Sequence, residues 1–215
     1  MAEKRFGMGE AVKFGWETMK ENIWFFIPLL IIAFLIKSVP GAIAEYAGSE
    51  FPVISTVLWL SGLLLGYVVD MGLVKISLQF CDGVKGKFDD LLSSFDILIP
   101  FIVASILYGL IIFGGFLLLV VPSIIWGIQF SLYPYFIVEK KLGPIEALKA
   151  SSRATMGAKW DLFLFGLLLG LINFAGMLVF LVGLFATIPT SMVAYAYVYR
   201  RLTGEPEPTG LTYEV

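Results

Sequence analysis

The chain is expected to be an all-α integral membrane protein with six transmembrane helices arranged as three hairpins and amphipathic helices along its cytoplasmic surface. Three observations predict this fold class. The first is a pair of uncharged runs, Ile97 to Val138 (42 residues) and Leu162 to Tyr199 (38 residues). As a single helix either run would be roughly 60 Å long at ~1.5 Å per residue, about twice the ~30 Å hydrocarbon core of a bilayer, so each folds back as a hairpin. The second is composition: 59% hydrophobic residues, 15% charged and 19 Phe in 215 residues supply more apolar side chain than one soluble domain can bury. The third is the distribution of Lys and Arg along the chain.

Taken in order, Met8, Val12, Trp16, Met19 and Ile23 recur at three- and four-residue spacing while Glu10, Lys13, Glu17, Lys20 and Glu21 fall elsewhere. This predicts a surface helix over residues 8–22. The first span, about 23–39, ends at the Lys37-Ser38-Val39-Pro40-Gly41 stop signal, with Lys37 snorkelling to the far side. The second, 53–80, is interrupted only by Asp70 and Lys75. A turn near Val121-Pro122-Ser123 divides the first uncharged run into 97–120 and 122–138, and Gly183 divides the second into 162–182 and 184–199. A further surface helix is expected over 144–157, opened by Pro144 in its first turn. There Ile145, Leu148, Ser152 and Met156 form one stripe and Glu146, Lys149 and Arg153 another. Residues 1–201 form one domain on this reading, and 202–215 a mobile cytoplasmic tail.

Six spans place both termini on the same side. Fourteen of the fifteen Lys and Arg residues then collect there, leaving only Lys37 opposite. By the positive-inside rule that side is cytoplasmic, and the chain is a multi-pass protein of the cell membrane. The first 22 residues are too polar for a signal peptide. Tyr195, Tyr197 and Tyr199, just before Arg200-Arg201, read as an interfacial anchor.

A shift of 136 aligns Glu10 with Glu146, Ala11 with Ala147, Lys13 with Lys149 and Trp24 with Trp160, each set preceding an apolar hairpin. Phe88 to Phe95, with Asp89 and Asp90 in its first turn, reads as a shorter third copy. The expectation is an internal repeat of surface helix plus hairpin, related by an axis along the membrane normal.

The motifs Gly72-Leu-Val-Lys75-Ile-Ser-Leu, Asp82-Gly83, Lys85, Phe88, Asp90-Leu91 and Gly143-Pro144-Ile145-Glu146-Ala147-Leu148-Lys149-Ala150-Ser151, running on to Trp160, carry a resemblance. The chain resembles a group of uncharacterised multi-pass prokaryotic membrane proteins, itself similar to the membrane domain fused to some glycerophosphoryl diester phosphodiesterases. The resemblance implies a six-helix membrane fold but no established activity, and the phosphodiesterase chemistry belongs to a separate soluble domain. Ser123 after Pro122 departs from the Pro-Gly expected at that turn.

The chemistry available is narrow. With no His and the single Cys81, serine–histidine proteolysis is excluded and metal catalysis is improbable, so neither an enzyme activity nor a cofactor is expected. Asp82-Gly83 superficially resembles the start of a phosphatidyltransferase motif, but Val84-Lys85-Gly86-Lys87 does not continue it. A loop turn is the better reading. The intramembrane polar candidates are Asp70, Lys75 and Asn173. Asp70 and Lys75 sit about 140° apart at ~100° per residue, so each must seek a different neighbour. For Asp70 the expected neighbour is a basic residue such as Lys159 or Arg200. Gln129 and Asn173 are expected to make interhelical hydrogen bonds. Gly62 with Gly66 and Gly166 with Gly170 are expected to be close-packing points, joining the outer hairpins or forming a homodimer seam. Lys140, Lys141, Lys149, Arg153 and Lys159 are candidate contacts for lipid headgroups or a protein partner. The expected partners are membrane lipids, with another membrane protein or a second copy as further candidates; nucleic acid is not one. The leading expectation is lipid or protein interaction at the cytoplasmic face, the alternative a small transporter with a cavity near Asp70, Lys75 and Asn173.

Overall fold

The computed structural model describes residues 6–48, 50–179 and 182–204, among which there is no β-strand. In chain order the helices are α1 (Met8–Glu21), α2 (Ile23–Ala47), α3 (Pro52–Cys81), α4 (Leu98–Leu118), α5 (Val120–Phe130), α6 (Tyr133–Lys140), α7 (Pro144–Ala154), α8 (Lys159–Leu178) and α9 (Leu184–Thr203). Two short 3₁₀ turns, Phe88–Leu92 and Phe95–Ile97, precede α4. Among the described residues five helical stretches are long and apolar enough to cross a membrane: Ile23–Ala47, Pro52–Cys81, Phe88–Leu118, Val120–Lys140 and Lys159–Leu178. In the third, Asp89, Asp90 and Asp96 belong to the 3₁₀ turns and lie outside the apolar helix α4. The mobile tail expected after residue 201 falls mostly outside the described residues, and α9 itself continues to Thr203.

Several boundaries differ from expectation for identifiable reasons. The stop at Pro40 does not end α2, which continues seven residues further to Ala47. In an apolar setting the backbone keeps every intrahelical bond it can, and one proline removes only one donor. The turn placed at Pro122 falls instead at Leu119, whose extended backbone (φ −177°, ψ 159°) separates α4 from α5. Pro122 sits within the first turn of α5, where a missing N–H costs no intrahelical bond. Ser123 has a role of its own, donating to the Ile112 carbonyl at 3.2 Å and packing closely on Gly115. The helix expected over 122–138 is broken at Ser131-Leu132, immediately before Pro134 in the first turn of α6. The third surface helix is absent as an α-helix, its place being taken by the 3₁₀ turn at Phe88–Leu92.

α9, the sixth predicted span, does not reach the apolarity of the other five, yet Thr187, Thr190, Ala194, Tyr197, Val198, Tyr199 and Arg200 are all buried along it. A helix walled by other helices can carry hydroxyls that a lipid-facing one cannot. α1 runs antiparallel beside it: Glu10 approaches Arg201 at 3.7 Å, the Phe14 and Tyr197 rings are 5.3 Å apart, and Gly15 lies against the backbone of Thr190 and Ala194. The contact therefore uses the small residues Ala11, Gly15 and Thr18. Trp16 of the predicted apolar stripe is left exposed. Likewise Tyr199 is no interfacial anchor. It is fully buried, stacks on Tyr135 at 5.1 Å, and donates to Glu139 Oε2 at 2.5 Å.

Candidate functional site

α2 and α3 form an antiparallel hairpin in which Pro40 packs on Gly62 and the Ser55 hydroxyl caps the Ala44 carbonyl at 2.7 Å. Side chains on a helix lean toward its N-terminus. Lys37 accordingly reaches back from the hairpin tip and does not snorkel outward, and its Nζ meets Asp70 Oδ1 at 2.5 Å. The partner expected for Asp70 was Lys159 or Arg200. It is Lys37 because axial level and rotation in the hairpin bring those two together. Lys75 turns away to a different neighbour, pairing with Asp90 at 2.7 Å and donating to Ser93 at 2.8 Å. Asn173 is on α8, where its Nδ2 donates to Ser191 of α9 at 2.8 Å. Asp70, Lys75 and Asn173 thus serve three separate contacts and form no common site.

Asp70 and Tyr67 instead border two adjoining cavities. One, of about 390 Å³, lies in the α2–α3 groove with Lys37, Trp59 and Gly66 in its wall. The other, of about 510 Å³, lies between α3, α4, α6 and α9 and is lined by Phe101, Ser105, Tyr108 and Tyr133. Tyr133 and Ser105 share a 2.9 Å hydrogen bond, and Tyr108 donates to the Gly127 carbonyl at 3.1 Å. Among the described residues no three Cys, Asp or Glu side chains converge to hold a metal ion.

The glycine pairs do not join the outer hairpins. Gly62 packs within its own hairpin and Gly166 against Tyr195 of α9, while a side chain at Gly66 or Gly170 would meet nothing within 4 Å.

α7 is docked through hydroxyls that sequence reading overlooked. At the α5–α6 break, Ser151 Oγ accepts from the Leu132 N–H at 3.1 Å and donates to the Gln129 carbonyl at 3.0 Å, and Thr155 donates to the same carbonyl at 3.1 Å. The Gln129 side chain lies between Ser152 and Lys159, at 2.7 and 2.6 Å. These bonds satisfy backbone groups that the interrupted helix would leave open. Pro134 followed by the Ser151-Ser152 pair was the available signal.

The five basic candidates divide accordingly. Lys159 is committed to Gln129, and Lys141 to Asp96 at 2.7 Å. Lys140 is exposed, its ammonium 5.9 Å from the Phe136 ring centroid. Lys149 and Arg153 are exposed on α7, and among the described residues neither makes an ion pair. Ile145 on the same helix and Met156 in the turn that follows it are exposed too, 59% and 70%. The buried side of α7 is Ala147, Leu148, Ala150 and Ser151.

Two carboxyls at this end titrate low. The Lys141 hydrogen bond holds Asp96 below the usual carboxylate range. For Asp90, burial pushes upward, but hydrogen bonds from Lys75, Gln79 and the Lys87 N–H outweigh it and hold the carboxyl low. Arg200 closes the same end of the bundle, pairing with Asp82 at 2.7 Å and with Glu139.

The chain has distant relatives. It is similar to an uncharacterized protein of Mycobacterium bovis, 25% identical over 93% of this chain and 69% of that protein. Uncharacterized proteins of two Mycobacterium tuberculosis strains match the same shares at 25% and 24% identity. No family model and no solved structure matches.

Proposed function

We propose that this is a noncatalytic protein of the cytoplasmic membrane, with six spans and both termini cytoplasmic, that binds anionic lipid headgroups at its cytoplasmic face. The observation that carries the reading is the outward side of α7. Lys149 and Arg153 stand one turn apart without an intramolecular ion pair among the described residues, flanked by exposed Ile145 and Met156. Two free cations between two apolar side chains suit a headgroup layer, where charge meets phosphate and alkyl groups meet acyl chains. Lys140 and the exposed Trp160 extend the same surface.

α9 as the sixth span is supported by its burial and by the Gly183 turn before it. With six spans, the charged ends of α3, α6 and α9, joined through Arg200, share the Lys- and Arg-rich side. The internal repeat belongs to this reading too: Ala11 and Ala147 are buried in their helices, and Trp24 and Trp160 are both exposed. So does membership of the multi-pass group similar to the phosphodiesterase membrane domain, which rests on the cytoplasmic motifs.

The test is native mass spectrometry from nanodiscs of phosphatidylglycerol and of phosphatidylcholine. Preferential retention of phosphatidylglycerol that falls in the Lys149→Ala/Arg153→Ala variant supports the reading. Retention indifferent to headgroup charge or to these substitutions overturns it. The cavities at Asp70 favour a second reading, a small-solute or ion transporter. Asn173 takes no part in it.

A further inference from the structure

The geometry points to the larger cavity beside Asp70 as a binding site for a small organic ammonium ion, with Lys37 as the built-in competitor for the carboxylate. This sharpens the transporter reading by naming a ligand class, but concerns binding alone.

Among the described residues that line the larger cavity, Asp70 is the one charged side chain. At about 510 Å³ the space falls within the range of small-molecule sites. Its wall carries a continuous series of aromatic rings: Tyr67 and Phe101 have centroids 6.1 Å apart, Phe101 and Tyr133 6.0 Å, and Tyr133 and Tyr108 5.3 Å. The Tyr108 and Tyr133 hydroxyls are engaged by Gly127 and Ser105, so what these residues offer a ligand is aromatic ring. One carboxylate beside several rings repels anions and supplies too few oxygens for a metal ion. It suits a cation whose charge is spread over alkyl groups, held by the carboxylate and by the rings' quadrupoles.

Lys37 is the counter-charge that Asp70 meets within the protein. It approaches from the neighbouring cavity, and among the described residues it is the only side chain hydrogen-bonded to Asp70. Both members of the pair are part-exposed, at 39% and 48% of their side chains. An ammonium ion arriving from the aromatic side would share or displace that contact. Removing the lysine charge should therefore strengthen binding, whereas a purely structural ion pair predicts no such gain.

The probe is tetramethylammonium chloride, titrated calorimetrically into the full-length protein in phosphatidylcholine nanodiscs. Empty nanodiscs provide the background and tert-butyl alcohol the neutral control of similar shape. The expected result is binding of tetramethylammonium but not of the alcohol, at least about tenfold tighter in Lys37→Met because an opposing charge a few ångströms away is gone. Asp70→Asn should lose binding, as should Lys37→Met/Asp70→Asn, which leaves no unpaired charge if the single variant fails to fold. Tyr133→Leu, which removes the ring, should bind more weakly. Equal binding of the alcohol, no gain in folded Lys37→Met, or undiminished binding in the double variant overturns the proposal. Flux of tetramethylammonium into liposomes is read separately. Binding without flux leaves the site standing and removes the transporter reading.

Discussion

Ser151 and Leu132 meet across the α5–α6 break, the fully buried Ser151 hydroxyl accepting the Leu132 backbone N–H at 3.1 Å. A surface helix is thereby tied into the bundle by a hydrogen bond to backbone, so the helix and the break stabilise one another.

Replacing Ser151 with Ala should cost about 1–3 kcal/mol, because it leaves a buried N–H without its acceptor. Ser152→Ala, at a half-buried position, should cost less than the buried loss. Thermal unfolding in detergent measures the difference, and amide exchange should rise specifically around residues 129–134.

Arg200→Met should destabilise the protein by roughly 3 kcal/mol, the lower end for breaking a buried ion pair, since the Asp82 side chain is 47% exposed while that of Arg200 is 8% exposed. Arg200→Lys should recover only part of the loss, because one ammonium cannot present the two guanidinium nitrogens that separately meet Asp82 and Glu139. Both are read as midpoint shifts in the same unfolding assay.

Two glycines in α1 should respond oppositely. A methyl group at Gly15 would collide with the Thr190 carbonyl, so Gly15→Ala should cost about 1–3 kcal/mol and loosen α1 from α9. Gly9 has open space around it, and Gly9→Ala should be neutral or stabilise by up to ~1 kcal/mol through helix propensity. Limited proteolysis within residues 8–21 distinguishes them.

The Asp90 pairing should make stability depend on pH in the acid range. Its folded pKa lies below the unfolded value, so its contribution is fully present above an ordinary aspartate pKa of ~3.9 and is lost as pH falls through the lower folded value. Asp90→Asn should be less stable than wild type by about 1–3 kcal/mol at neutral pH, with the gap closing below about pH 4. Unfolding midpoints of the two proteins between pH 3 and 8 test this.

Much of the architecture was legible from residue order because it depends on properties that simple patterns encode. Charge-free length divides the chain into apolar helices, and Pro144 opens a helix where a missing N–H costs nothing. The candidate site was less legible. Asp70 stood out as a charge among apolar residues, but its partner Lys37 depends on how far two helices slide and rotate in the hairpin, which no local pattern records.

The all-helical class, the apolar stretches and the identity of the charged residues among them are written in residue order, since they follow from hydropathy and backbone hydrogen bonding alone. Tertiary structure decided which faces are buried. Ala11, Gly15, Ala147 and Ser151 carry almost no hydropathy signal, yet their small size admits the closest helix contacts, so α1 and α7 turn those faces inward and leave Trp16 and Ile145 outside. It also decided that Asp70, Lys75 and Asn173 go to three different neighbours, because pairing depends on three-dimensional distance and not on spacing along the chain.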